Sequence, residues 1–175
     1  MEFKKIVFLD RDGVINQDTN YPHIKEDIIF IDGVFESLRI IAKRGYEFII
    51  ITNQSGIGRG YFSYDQFFSL NSWMLNEFKL RDINILDVFF CPHSPEERCT
   101  CRKPNPGLFQ QATEKYPIDL KKSWMIGDKR SDIIAANRAG IKQTILVTLK
   151  QKDQLKGLHY AHMVSSVKEI TGCIV

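Results

Sequence analysis

The sequence predicts an α/β fold, a doubly wound parallel sheet with helices on both faces and no separate cap domain. Three observations predict it. Short apolar runs of strand length recur at residues 6–9, 48–51, 86–90, 123–126 and 144–147; runs this continuous suit a sheet covered on both sides. Segments with apolar residues at helical spacing separate them, the alternation expected of a parallel sheet. Polar residues suited to chemistry follow directly on three of the runs, at one edge of such a sheet, where open α/β folds bind their ligands.

Taken in order, the first run gives way at once to Asp10-Arg11-Asp12-Gly13. Residues i and i+2 of an extended chain face the same side, so Asp10 and Asp12 are expected side by side. Adjacent carboxylates call for a shared proton or a hard cation such as Mg2+. A lone Asp-x-Asp would more simply be a solvated turn, and it is the rest of the chain that decides against this. Residues 16–23 are expected to form a loop or hairpin over the first strand, closing near 28–31. Asp32-Gly33 opens a helix carrying Val34, Leu38, Ile41 and Ala42, ended by Arg44-Gly45.

The second run ends in Thr52-Asn53-Gln54-Ser55-Gly56. Ser63 is the expected N-cap of a helix reaching about Leu80, with its phenylalanines and Trp73 in the core. Residues 91–105 form an irregular Cys- and Pro-rich loop, and Asn105-Pro106 starts a helix with Pro at its first position. The fourth run enters Gly127-Asp128, and a helix over 131–139 stops at Gly140. After the fifth run a weaker strand and helix complete the chain. With no repeat, low-complexity stretch or linker, residues 1–175 read as one domain.

Composition narrows the function classes. Of 175 residues, 43% are hydrophobic and 26% charged, and the net charge is only +3, too small to argue for nucleic acid or a membrane surface. No apolar run approaches bilayer-spanning length. The opening Met-Glu-Phe-Lys-Lys leads straight into a strand, so no signal peptide is expected, and a cytoplasmic monomer is the reading. Clustered cysteines in such a compartment bind metal more often than they form disulfides.

Asp10 and Asp12 end the first strand, Thr52 and Asn53 the second, Gly127 and Asp128 the fourth, and Arg102-Lys103-Pro104 places cations before a helix start. Together they describe an anionic ligand and a metal gripped by carboxylates, a hydroxyl, an amide and a lysine. These residues resemble the four motifs of haloacid dehalogenase superfamily phosphatases. Asp10-Arg11-Asp12-Gly13-Val14 matches the first motif, Thr52 the second, Lys103 the third and residues 127–132 the fourth. The resemblance implies a Rossmann-like fold. It makes Asp10 the nucleophile, Asp12 the general acid and then base, Thr52 and Lys103 the phosphoryl-binding donors, and Asp10, Asp12 (through its main-chain carbonyl) and Asp128 the Mg2+ ligands. Asp132 is expected to orient the metal shell or to cap the helix that follows.

Cys91, His93, Cys99 and Cys101 supply four ligands to a tetrahedral ion with no open position, a structural zinc site rather than a catalytic one. The alternative is a chance grouping of surface Cys and His. Zinc there would staple the loop and fix Lys103, two residues beyond the last ligand. The Cys-x-His and Cys-x-Cys-Arg-Lys-Pro pattern resembles the D-glycero-D-manno-heptose 1,7-bisphosphate 7-phosphatases and the related histidinol-phosphate phosphatases, and residues 52–60 match both. A stand-alone chain and Gly127-Asp128-Lys129 favour the heptose family. The gap of five residues between His93 and Cys99 is shorter than that family often has. The resemblance implies substrate contacts from Asp18, Thr19, Asn20, Tyr21, Asn53, Gln54, Ser55, Arg102 and Lys129, and a small sugar phosphate as the only partner. A zinc-containing nucleic-acid module is the reading from another class, disfavoured by Pro92, Pro95, Glu96 and Glu97 in the loop.

Plainer readings suffice elsewhere. His23 is expected to face solvent, His159 and His162 to be surface polar residues, and 150–156 a solvated helix face. Cys173 is expected to be a small, semi-buried apolar residue. Residues 56–60 lack the dinucleotide-binding spacing and give the backbone room to turn or to approach a phosphate.

Overall fold

A computed structural model describes residues 3–149 and 152–175, with side chains at 152 and 153 left aside. Among the described residues one six-stranded parallel sheet is formed by β1 (Ile6–Leu9), β2 (Glu47–Asn53), β3 (Ile85–Cys91), β4 (Trp124–Gly127), β5 (Gln143–Val147) and β6 (His162–Val164). Their order across the sheet is β3-β2-β1-β4-β5-β6. The chain therefore builds outward from β1 in one direction, then returns to add β4 on its other side. The crevice at that reversal, beyond the carboxyl ends of β1 and β4, is where this topology binds ligands.

The two faces of β1 explain the two cores. Val7 and Leu9 point into a cluster with Phe48, Ile50 and Ile126, covered by α1 (Val34–Ala42), α3 (Tyr64–Lys79) and the terminal α6 (Ile170–Cys173). Ile6 and Phe8 point the other way, among Ile49, Ile51 and Met125, covered by α4 (Gly107–Lys115) and α5 (Arg130–Ala139). All four β1 side chains are fully buried, as a continuous apolar run requires. Ser63 caps α3 as expected: its hydroxyl accepts from the Gln66 amide at 3.2 Å, and the Gln66 side chain accepts from the Ser63 amide at 2.9 Å.

Residues 16–31 form the expected loop, closing near 28–31 on Ile15 and Asn16 beyond β1. A single antiparallel bridge joins Asn16 to Phe30, the Ile31 amide donates to the Ile15 carbonyl at 2.9 Å, and a 3-10 turn at Lys25–Asp27 occupies the middle. Other expectations are corrected. Pro106 precedes α4 rather than opening it, because its carbonyl accepts the first helical bonds, from Phe109 and Gln110. A one-turn helix, α2 (Ser55–Gly58), directly follows β2. In α3, Phe67 and Phe78 are core, Trp73 is half-buried, and Phe68 is 50% exposed beside Tyr64 and Phe90. His23 is half-buried and stacked flat on Phe62. His159 and His162 are exposed and Cys173 is semi-buried, as expected. Of the 150–156 segment, Lys150 and Gln151 lie outside the described residues.

Phe30 anchors the long loop by packing on Phe35, Trp73 and Phe78, at ring-centroid distances of 4.7, 5.8 and 6.3 Å. Phe78 is the buried hub of this group. Phe78→Ala is expected to lower unfolding stability by about 3–5 kcal/mol and to loosen residues 16–31. Denaturant titration, with proteolysis of the loop as a second readout, checks both effects.

Candidate active site

The end of β1 delivers Asp10 into the crevice, and the end of β4 delivers Asp128. Asp132 joins them from the first turn of α5: one oxygen from each of the three carboxylates lies within 4.8 Å of the others. Gly13 and Gly127 permit this crowding. A Cβ at Gly13, where φ is +96°, would stand 2.3 Å from an Asp128 oxygen, and one at Gly127 would stand 2.3 Å from Asp132 Cβ. Neither position tolerates a side chain without displacing a carboxylate.

Lys103 enters from the loop before α4 and is buried with its Nζ 2.9 Å from Asp10 Oδ1, 2.7 Å from Asp132 Oδ1 and 2.8 Å from the Ile51 carbonyl. Its backbone is clamped by Asn53, whose Nδ2 donates to the Lys103 carbonyl at 3.1 Å and whose Oδ1 accepts from the Lys103 amide at 3.0 Å. Of the two roles considered for Asp132, the structure shows the helix cap. Beyond holding Lys103, its Oδ2 accepts from the amides of Asp128 and Lys129 at 3.2 and 3.0 Å, capping α5.

Two of these three carboxylates, Asp10 and Asp132, contact the one buried ammonium. Burial, then the charge of Asp132, pushes Asp10 well above the usual carboxylate range, against the opposing pull of Lys103. Burial likewise raises Asp128, with Asp132 adding to it. Burial would lower Lys103, but Asp10 and Asp132 outweigh it and hold the ammonium above its ordinary value. The excess negative charge fits a hard divalent cation. A second observation agrees: Asp128 Oδ1 is buried with no hydrogen-bond partner, an acceptor aimed where a cation would sit.

Asp12 keeps different company. Its carboxylate is gripped by Arg11, through Nε at 3.0 Å and Nη2 at 3.1 Å, by Asn16 Nδ2 at 2.9 Å and by Gln54 Nε2 at 3.0 Å. The side-by-side pair inferred from i, i+2 spacing is thus resolved otherwise: the carboxylates that converge with Asp10 come from β4 and α5, and Asp12 is neutralised by its own neighbour. Arg11 is 2% exposed, and no periodic or spacing signal marks its role in the sequence.

A cavity of about 500 Å³ opens above these residues, lined by Asp10, Asp12, Asp18, Asn20, Tyr21, Asn53, Gln54, Ser55, Arg102, Lys103, Lys129 and Asp132, among others. Asn20 and Tyr21 are both left-handed, with φ of 65° and 62°, which folds the loop back over the cavity mouth. Lys129 Nζ ties the same loop down, 3.0 Å from Asp18 Oδ2. Arg102 Nη1 is buried and unpartnered. The structure brings together all but one of the expected substrate contacts; Thr19 is exposed and its hydroxyl donates to the Asp27 carbonyl at 3.4 Å. Asn53 and Gln54 line the cavity, but their amides are already engaged by protein. Thr52 is buried beneath it, with Oγ1 accepting from Gln54 Nε2 at 2.9 Å.

Beside the cavity, the Sγ atoms of Cys91, Cys99 and Cys101 and Nδ1 of His93 lie within 4.8 Å of one another. Adjacent separations are 3.5 Å for Cys91–His93, Cys91–Cys99 and Cys99–Cys101, and 3.3 Å for His93–Cys101. A tetrahedron with Zn–S bonds of about 2.3 Å has edges of about 3.8 Å, so the donors stand close to its corners. No described cysteine is in a disulfide. Burial raises the Cys91 and Cys101 thiols; at Cys99 the Arg102 amide and the neighbouring thiols overcome burial and bring it to about 7.

The HAD-hydrolase-like family model matches residues 100–170. A D-glycero-alpha-D-manno-heptose-1,7-bisphosphate 7-phosphatase of Photorhabdus laumondii is 49% identical over 150 residues, 82% of each chain. A D-glycero-beta-D-manno-heptose-1,7-bisphosphate 7-phosphatase of Haemophilus ducreyi is 43% identical over 170 residues, 92% of each. Among solved structures, the D,D-heptose 1,7-bisphosphate phosphatase of B. bronchiseptica complexed with magnesium and phosphate superposes with a TM-score of 0.86 at 27% identity, covering 96% of each chain.

The raised carboxylates give a pH signature. A carboxyl group raised by folding holds its proton more tightly in the folded than in the unfolded chain. Without cation, stability should therefore fall as pH rises from the ordinary value of 3.8 through the raised range of Asp10 and Asp128. A cation competes with those protons, so its stabilisation should grow over the same window. The melting temperature with and without Mg2+ is expected to differ more at about pH 8 than at about pH 5; equal increments would refute the assignment.

Proposed function

The chain belongs to the D-glycero-D-manno-heptose-1,7-bisphosphate 7-phosphatase family of HAD-like hydrolases, and we propose that it removes the 7-phosphate of that sugar bisphosphate through an aspartyl-phosphate on Asp10. The observation that carries this reading is the convergence of Asp10, Lys103, Asp128 and Asp132 at the carboxyl ends of β1 and β4, beneath a cavity with cations on its wall.

Mg2+, when bound, would be held by Asp10, the main-chain carbonyl of Asp12 and Asp128, and supplies the positive charge that lets an anionic nucleophile meet an anionic phosphate. In the first half-reaction the Asp10 oxygen not paired with Lys103 attacks phosphorus. The new O–P bond forms as the ester P–O bond to the sugar breaks, and Asp12 passes its proton to the departing sugar oxygen. In the second, Asp12 takes a proton from water, whose oxygen attacks phosphorus and frees Asp10 and inorganic phosphate. Lys103 and the Thr52 hydroxyl stabilise charge on the phosphoryl oxygens.

Arg102 and Lys129 would meet the second phosphate. Arg102 has a buried amine without a partner, and an anion is what such a donor lacks. Histidinol phosphate carries a cation beside its phosphate and would want an acidic or aromatic rim instead, and the related chains bear the heptose name. The same reading places zinc on Cys91, His93, Cys99 and Cys101, where it would staple the loop leading to Lys103. It also takes residues 1–175 as one domain, acting as a cytoplasmic monomer. Four cysteines without a disulfide suit a reducing compartment, and among the described residues no helix is long and apolar enough to cross a membrane.

Two outcomes test the reading. Phosphate release from the heptose bisphosphate, assayed with Mg2+ on both anomers, is expected to exceed release from histidinol phosphate, and Asp10→Asn is expected to lower it by about 10^4-fold or more while leaving the fold intact; appreciable turnover by that variant rules out the covalent route. The purified protein is expected to carry one zinc per chain by elemental analysis, and Cys99→Ser to release it and reduce activity. Unchanged zinc content in the variant would reject the ligand set.

A further inference from the structure

Gln54 sits at the end of β2, 4% exposed, and touches three residues of the site at once. Its Oε1 accepts from Arg11 Nη2 at 3.2 Å. A guanidinium can only donate, so this contact fixes which end of the amide is which. The two Nε2 hydrogens must then point to Asp12 Oδ2, at 3.0 Å, and to Thr52 Oγ1, at 2.9 Å. Arg11 is held in place, since it is buried, bonded to both Asp12 oxygens, and shares its two Nη2 hydrogens among Asp12 Oδ2, the Pro22 carbonyl at 3.0 Å and Gln54 Oε1.

The consequence falls on Thr52. A hydroxyl has one proton to give. Because Thr52 accepts from Gln54, its proton is left for an acceptor elsewhere. We propose that Gln54, oriented by the buried Arg11, is a positioning residue that turns the Thr52 hydroxyl into a donor toward the phosphoryl group and holds the Asp12 carboxylate beside it. This rests on the phosphatase reading above and adds to it a residue pair that acts without touching the reacting atoms. An amide is needed because one of its ends must accept from a cation while the other donates twice.

Two near-isosteric variants separate positioning from simple support. Gln54→Glu keeps the shape and the Arg11 contact but presents an acceptor to Thr52, which captures the hydroxyl proton, and sets a second carboxylate against Asp12; a Thr52→Val background separates the two effects. Gln54→Met fills the space with no strong hydrogen-bonding group and leaves the hydroxyl free to rotate. On the heptose bisphosphate, kcat is expected to fall about 100-fold in Gln54→Glu, the size of a lost oxyanion donor, and less in Gln54→Met, with KM changing less than kcat in both. Binding of inorganic phosphate with Mg2+, by calorimetry, is expected to weaken in the same order. In a Thr52→Val background, Gln54→Glu should cost about tenfold less than in the wild-type chain. Thermal unfolding of each variant verifies that the fold is retained. If Gln54→Met loses as much as Gln54→Glu, or if the Thr52 and Gln54 losses are additive, the proposal is overturned. A wild-type chain inert on the heptose bisphosphate would instead sink the substrate assignment, and the order of phosphate binding among the variants would still decide the role of Gln54.

Discussion

The structure depends on one buried ammonium. Lys103 Nζ lies between Asp10 and Asp132 with the Ile51 carbonyl as third acceptor, so all of its donors are satisfied in a place where a lone charge would be very costly. The residues that hold it come from β1, β2, the loop before α4 and the first turn of α5. Each is fixed by a separate local device: the strand end at Asp10, the Asn53 clamp on the Lys103 backbone, and the cap that Asp132 makes on α5. Because four segments meet at one charge, none can shift without leaving a carboxylate or the ammonium unpaired.

The two first-motif aspartates sit in opposite fields. Asp10 shares its surroundings with Asp128 and Asp132, an excess of negative charge that a cation would relieve. Asp12 is surrounded by Arg11, Asn16 and Gln54, all donors. The loop from which both Arg102 and Lys103 project runs on from the neighbouring Cys/His cluster, and the Arg102 amide donates to Cys99 Sγ at 3.4 Å.

Much of this was legible in the chain. The apolar runs fixed the strands, and alternation fixed a parallel sheet. Ligand-type residues at strand ends marked the crevice, because these signals are local or depend only on period. Side-chain roles that depend on who faces whom were not legible. Asn53 and Gln54 look like substrate contacts in sequence, and their bonding to Lys103, Asp12 and Thr52 requires β2 to lie beside β1 and the 91–105 loop to fold back over it. Arg11 gave no signal, since a charged residue between two aspartates reads as solvated. Thr19 differs from Asn20 and Tyr21 only in where the loop turns, and the two consecutive left-handed residues that set that turn are neither Gly nor Pro.

Departures from the ordinary rules of folding gather in the same place. Among the described residues the buried side-chain atoms without a partner are Asn16 Oδ1, Arg102 Nη1, Trp124 Nε1 and Asp128 Oδ1; all but Trp124 belong to residues that line or brace the cavity. The deeply buried arginine, the paired left-handed residues and the raised carboxylates are there as well. Elsewhere local propensity, pattern and packing agree, as a foldable sequence requires. Concentrated disagreement of this kind costs stability and persists where something outside the chain relieves it. The unpartnered atoms state what that is. A carboxylate oxygen lacks a cation and a guanidinium lacks an anion, and one ligand that brings a phosphate with its metal at one end and a second phosphate at the other would satisfy both.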